Sequence, residues 1–269
     1  MLRRLLIALA LAFLTIMVVL PVIAIFHRAF ADGIGAYAAA IMDPETLAAI
    51  RLTVIAALIV VPVNIVFGVA AAWLVARYRF WGRRALLILI EVPFAMSPIV
   101  VGLCFLLVYG AYGPVGAFLE PYGIQLMFNL IGIVLVSLFI TCPFVVREIL
   151  PVLQVSGEEE EKAALTLGAN GWQIFRHVVM PNISWGLAYG TMLTMARAMG
   201  EFGAVSVVSG AIRGRTMTLP LQIELLYNDY NATGAFAAAT VLTALAFVTL
   251  IIRGVLNRFG PAREVSHGA

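Results

Sequence analysis

Apolar and polar positions in this chain alternate in long blocks rather than in single turns. Six apolar stretches, about 5–26, 50–76, 85–109, 128–150, 183–210 and 234–259, approach or exceed the ~20 residues that a helix needs to cross a bilayer. The pattern predicts an all-α fold, a polytopic helical membrane protein with six transmembrane helices in one transmembrane domain over residues 1–269. The first stretch has features of a signal peptide, because Arg3 and Arg4 precede it and Ala29, Phe30 and Ala31 mimic a cleavage site. Its apolar run exceeds the roughly 7–15 residues of a signal core, so a retained first span is expected.

The longest polar gap covers 151–182, and most of it reads SGEEEEKAALTLGANGWQIFRHVVMPN from Ser156 to Asn182. Ser156 with Glu159 has the spacing of a capping box, which predicts a helix start. Gly168 supplies a left-handed residue to end that helix. Asn170 with Gln173 repeats the cap, and Pro181 is expected to close a second helix. Two short helices around a glycine turn, set between two spans, form a candidate docking surface.

Composition narrows the class. Hydrophobic residues make up 63% of the chain and charged residues 12%, with a mean hydropathy of +1.04; soluble domains average about 25% charged. Cys104 and Cys142 both lie in apolar runs, so neither a disulfide framework nor a metal site is expected. His27, His177 and His267 are scattered, which argues against a membrane-embedded enzyme. No Gly-x-x-x-x-Gly-Lys-Ser/Thr loop is present, so ATP binding in the usual P-loop manner is not expected and energy must come from a partner. The net charge is only +3, and no nucleic-acid partner is expected; membrane lipid is.

The placement of that charge orients the chain. Arg3, Arg4, Arg77, Arg79, Arg83, Arg84, Arg147, Lys162, Arg176, Arg253, Arg258 and Arg263 fall on one side of a six-span arrangement. Arg28, Arg51, Arg213 and Arg215 fall on the other. The excess puts both termini and the polar gap in the cytoplasm. Among the outer loops, 110–127 lacks Lys and Arg and turns at Gly113-Pro114. The TLPLQIELLYNDYN segment suggests a short helix lying in the interface, with Tyr227 and Tyr230 as anchors.

Several polar residues lie within the apolar stretches. Asn64 suits a helix-packing hydrogen bond. Pro62, Pro93 and Pro98 are breaks that neighbouring helices can satisfy. Glu91, close to Pro93 and Ser97, is either a snorkelling carboxylate or part of a pathway. Arg197 and Glu201 are four apart, on one helical face, and should pair, either as a structural lock or as a gate. Gly200 and Gly203 would let another backbone come close.

The segment KAALTLGANGWQIFRHVVMP resembles the EAA loop of ABC importer permeases, in which Glu-Ala-Ala is followed at set spacing by Gly and by Leu-Pro. Ala163, Ala164, Gly168 and Pro181 keep that spacing, and Val178 and Met180 are conservative replacements. Lys162 stands where the motif has Glu, with Glu161 one place earlier. By resemblance, Glu161, Lys162, Ala163, Ala164, Gly168 and Pro181 belong to the ATPase-coupling loop.

Further segments widen the resemblance, among them EVPFAMSPIVVG, TCPFVVREILPVL, RAMGEFGAVSVVSGAIRG and TLPLQIELL. Together they are similar to the sulfate/thiosulfate family of ABC importer permeases, CysW-type subunits, with molybdate permeases as close relatives. The resemblance implies the type I importer permease fold and an anion pathway that Glu91, Pro93, Ser97, Arg197 and Glu201 line or gate. It also implies a chain without catalysis of its own. The expected partners are a second, related permease in a heterodimer, two copies of a cytoplasmic ABC ATPase that bind ATP and Mg, and a periplasmic sulfate-binding protein. The expected location is the bacterial inner membrane. The alternatives are a molybdate or tungstate importer and an ion-coupled secondary transporter.

Overall fold

The computed structural model describes residues 2–259; Arg263 and His267 lie outside the described residues. Helix α1 spans Leu2–Ala29, and the short α2 (Ile34–Met42) leads into the 34-residue α3 (Pro44–Arg77). Asp43 caps α3 by accepting the N–H groups of Glu45 and Thr46, each at 3.1 Å, and Pro44 occupies the first turn, where no N–H is needed. Helices α4 (Arg83–Ala95), α5 (Pro98–Tyr109) and α6 (Pro114–Leu119) follow. Then comes α7 (Leu130–Ser156), capped by the Asn129 side chain.

The small α8 (Glu159–Thr166) precedes a long rod, α9. It begins at Gly171–Ile174, passes a π turn at Phe175–Val179 and continues over Met180–Met199. Helices α10 (Gly203–Val208), α11 (Leu219–Asn228) and α12 (Ala232–Phe259) complete the described chain.

Among the described residues, five helical runs are long and apolar enough to cross a membrane: Leu2–Ala29, Pro44–Arg77, Pro98–Tyr122, Leu130–Ser156 and Ala232–Thr249. The stretches 85–109 and 183–210, each expected as one span, are both broken. Pro98 forces the residue before it out of the helical region, and Ser97 is extended (φ −63°, ψ 133°), so α4 ends and α5 starts afresh. The second break falls at Gly200–Phe202, between α9 and α10. The two breaks meet, because a Cβ on Gly203 would lie 3.1 Å from Pro98 Cβ and 3.5 Å from the Ile99 nitrogen.

Helices α3, α7 and α9 form the centre. Without a hydrophobic drive between helices in lipid, close approach through small residues holds them together. Val145 of α7 is clasped from both sides. A Cβ on Gly68 would stand 2.5 Å from its Cβ, and one on Gly190 would stand 2.9 Å from its Cα. Two apolar clusters stack along these helices. One gathers Ala56, Ile133, Val136 and Ile140 with Ala204, Val205 and Val208 from α10. The other gathers Val69, Ala72, Val145 and Ile149 with Ile174 and Ile183 from α9. Between them Asn64 donates to Thr141 Oγ1, and Thr141 in turn donates to the Ser137 carbonyl, both at 2.6 Å.

The short helix expected in the interface forms as α11, and its apolar face packs into the protein. Leu219, Leu221 and Gln222 of α11 are buried, and the Leu219 N–H donates to Thr53 Oγ1 at 2.8 Å, although Tyr227 and Tyr230 remain exposed. The leucines that suggested an interfacial face are used against α3 and α12. Helix α1 buries only Ala29 and is fastened at its end, where Phe30 stacks on Tyr37 (4.3 Å) and Asp32 accepts from Thr233. Both cysteines are free, Cys104 exposed and Cys142 half-buried.

Candidate functional site

The polar loop folds differently from its cap signals at two points. Ser156 does not start a helix; it is the last residue of α7, and its hydroxyl donates to the Val152 carbonyl at 2.9 Å. A hydroxyl bonding back one turn extends a helix as readily as it begins one. Gly157 (φ +65°) ends α7, and α8 starts at Glu159 without a side-chain cap. Pro181 does not close the second helix either. The π turn at Phe175–Val179 widens the backbone just ahead of it, so the missing proline N–H is absorbed and α9 runs on as one rod. The same device precedes Pro21 in α1, at Thr15–Val19.

The glycine turn itself takes the expected form. Gly168 has φ +84°; its N–H donates to the Leu165 carbonyl at 3.0 Å and the Ala169 N–H donates to the Ala164 carbonyl at 3.1 Å, the Schellman pairing. Asn170 and Gln173 then exchange side-chain and backbone bonds at 2.8 and 2.9 Å, a complete capping box.

Each of the four glutamates in the run is engaged. Glu158 and Glu159 face Lys162 at 3.2 and 3.9 Å. Glu160 accepts from Asn182 of α9 at 2.6 Å, and Glu161 accepts from Arg77 at 2.7 Å. Lys162 is therefore held by its own helix, while the carboxylate one place earlier is turned into the protein. Small and apolar side chains face outward: Ala163 is exposed, Leu165 is 63% exposed, Leu167 88% and Trp172 67%. An apolar patch on a charged loop outside the spans is a surface shaped for a protein partner. Ala164 and Ala169 lie on the inner side, packed against the cluster around Ile174 and Val179.

The second constellation lies at the break between α9 and α10. Arg197 Nη1 stands 2.5 Å from Glu201 Oε2. The two do not share a helix: α9 ends at Met199, and Glu201 sits in the break, where its other oxygen accepts the Ala204 N–H at 3.1 Å. Glu201 is 2% exposed and the Arg197 side chain 33%, so the carboxylate is sealed in and the guanidinium reaches outward. Thr53, Ser137 and Thr218 surround Glu201 across a small internal cavity. Gly203 brings α5 close, as its lack of a side chain suggested, but Gly200 is exposed and faces only the Ala196 carbonyl of its own helix.

Glu91 is exposed on α4, Pro93 is buried and Ser97 lies exposed at the α4–α5 break. Pro98 and Ile99, just past Ser97, lie against Gly203, two residues beyond Glu201. Phe94, between Glu91 and Ser97, stacks edge-on with Phe144 (5.3 Å) and lies under the Arg147 guanidinium at 4.9 Å. Arg77 and Asn182, which fix the glutamate run, were not singled out from the sequence as site residues. The available signal was an arginine ending a span opposite four consecutive carboxylates.

A helical membrane chain with two broken spans and a folded polar loop between spans is built as a transport permease is, and its relatives give the class. Residues 64–259 match the family described as binding-protein-dependent transport system inner membrane component, and the chain belongs to it. It is 55% identical over 237 residues to the sulfate transport system permease protein CysW of Escherichia coli (strain K12), covering 88% of this chain and 81% of that protein. It is 35% identical over 259 residues to the sulfate transport system permease protein CysT of the same organism, covering 96% and 93%. Its fold matches that of a bacterial alginate ABC transporter solved with an alginate pentasaccharide-bound periplasmic protein. The TM-score is 0.79 at 14% identity, over 96% of this chain and 94% of that one.

Proposed function

We propose that this chain is the permease subunit of an ATP-driven sulfate importer, forming the anion pathway and coupling it to a cytoplasmic ATPase. The observation that carries this reading is the 55% identity to CysW across most of both chains. The loop built around Gly168, with its outward Leu165, Leu167 and Trp172, is what such a subunit needs to receive an ATPase. The permease performs no covalent chemistry. Similarity to both CysW and CysT supports pairing with a second, related permease rather than with a copy of itself. Two ATPase copies and a periplasmic sulfate-binding protein complete the assembly, and thiosulfate is a second cargo.

The chain is an inner membrane component with its termini and the α8 loop in the cytoplasm, following the arginine distribution. ATP-driven closure of the ATPase pair draws the α8 loops together and turns the pathway outward; hydrolysis returns it. Arg197 and Glu201, at the meeting of two broken spans, form the gate, with Ser97 on the facing break, Pro93 in α4 just before it and Glu91 nearer the cytoplasmic exit. Discontinuous helices of this kind line substrate paths in other transporters.

Uptake of labelled sulfate by a strain lacking this subunit tests the assignment. Uptake should vanish and growth should need cysteine in place of sulfate, with both restored by the gene. Sulfate uptake that persists while molybdate uptake is lost would assign the chain to molybdate instead.

A further inference from the structure

We infer that Arg77 is the joint that ties the ATPase-docking helix to the membrane spans, a positioning residue for transport. The inference rests on the importer reading above. Arg77 is the last residue of α3, and its guanidinium bridges two other helices at once. Nε donates to Glu161 Oε1 of α8 at 2.7 Å, and Nη2 stands 2.7 Å from the same oxygen. Nη1 donates to the Leu153 carbonyl near the end of α7, again at 2.7 Å. Both side chains are largely withdrawn from solvent, at 9% and 17% exposure, so the bond is little weakened by water or salt.

The covalent route from α7 to α8 is weak by comparison. It consists of Gly157 and Glu158, with Gly157 at φ +65° and open space around its Cα. A glycine hinge of this kind transmits little torque. On its other side α8 is tied to α9 by the hydrogen-bonded Gly168 turn, the Glu160–Asn182 bond and the small contact of Ala164 and Ala169. Motion of the docking helix thus reaches α9 by one route, and reaches α3 and α7 through Arg77. The bridge needs a planar fork with donors on two edges, which lysine cannot supply.

The complete importer, with its ATPase and binding protein in proteoliposomes, gives the test as sulfate moved per ATP hydrolysed. Arg77→Ala should keep ATPase co-purification and hydrolysis within about twofold of wild type while transport per ATP falls by about tenfold or more. Arg77→Lys should lie between, since it can meet one partner and not both. An unchanged ratio, or hydrolysis and transport falling in equal proportion, overturns the joint. Hydrogen exchange at residues 159–166 decides independently of cargo: Glu161→Gln should speed exchange there about tenfold, and unchanged exchange overturns the inference. A wild-type complex that moves no sulfate would count against the proposed function alone, with the exchange result still deciding the joint.

Discussion

Asn64 and Thr141 join two of the central helices, α3 and α7, by one hydrogen bond of 2.6 Å, placed between two apolar clusters. Asn64 reaches a second acceptor, the Leu138 carbonyl, only at 3.5 Å. Thr141→Val should therefore lower stability by about 0.6–1.7 kcal/mol, the range found for such bonds in membranes. Thermal unfolding in detergent measures it. Asn64→Leu combined with Thr141→Val should cost less than the sum of the single changes, because neither then strands a polar group.

The clasp around Val145 makes a sharper demand. At Gly190 the obstacle to a Cβ is the Val145 Cα, and at Gly186 it is the Glu148 carbonyl at 2.8 Å. Both are backbone atoms that no rotamer change can move. Gly190→Ala and Gly186→Ala should each cost about 1–3 kcal/mol, the usual penalty for overpacking. Gly35→Ala, with nothing near its Cα, should be silent in the same unfolding assay.

For the pair at the α9–α10 break, Arg197→Ala leaves a sealed carboxylate uncompensated, at a cost of at least about 2.5–3.5 kcal/mol. Sulfate uptake should be lost in Arg197→Ala and in Glu201→Ala alike. Replacing both by apolar residues should restore the melting temperature. If uptake returns with it, the pair is a lock and not a gate.

Gly168 separates the demands of the turn from those of space. Nothing lies within 4 Å of its missing Cβ, so any penalty comes from φ +84° alone. Gly168→Val should keep the permease in the membrane, reduce ATPase co-purification and abolish uptake. Gly168→Asn should be mild, because asparagine tolerates that conformation. Equal effects of the two would detach the turn geometry from coupling.

Membrane orientation is open to chemical labelling. In a chain with Cys104 and Cys142 replaced, a cysteine at Asn231 should react with an impermeant reagent outside intact cells, and one at Gln154 should not. The reverse pattern would invert the proposed topology.

The apolar runs were legible because bilayer thickness sets a length that few other constraints imitate. Gly168 and the Asn170–Gln173 box were legible because each signal has one local outcome. Ser156 misled because its hydroxyl can cap a new helix or bond back into the old one, and the adjacent Gly157 decides between them. Pro181 misled because the π turn that absorbs it leaves no mark in the residue pattern. Pro98 marked the break at Ser97, and Arg197, Gly200 and Glu201 marked the second region. The apolar length of each stretch still read as one span, because residue pattern alone does not separate a tolerated kink from a full break. The bonds of Arg77 to Glu161 and Leu153 span 84 and 76 positions, and only the packing of α3 on α7 brings those residues together.

Because α9 carries on through its π turn, the helix that begins in the polar loop is the same rod that ends beside Glu201. Its 29 residues from Gly171 to Met199 make a lever about 43 Å long at 1.5 Å per residue. A tilt of about 5° at the loop end swings the far end by roughly 4 Å at that length. In the proposed coupling, a small closure of the ATPase would be delivered as that stroke at the α9–α10 break, where Glu201 is anchored by the Ala204 N–H.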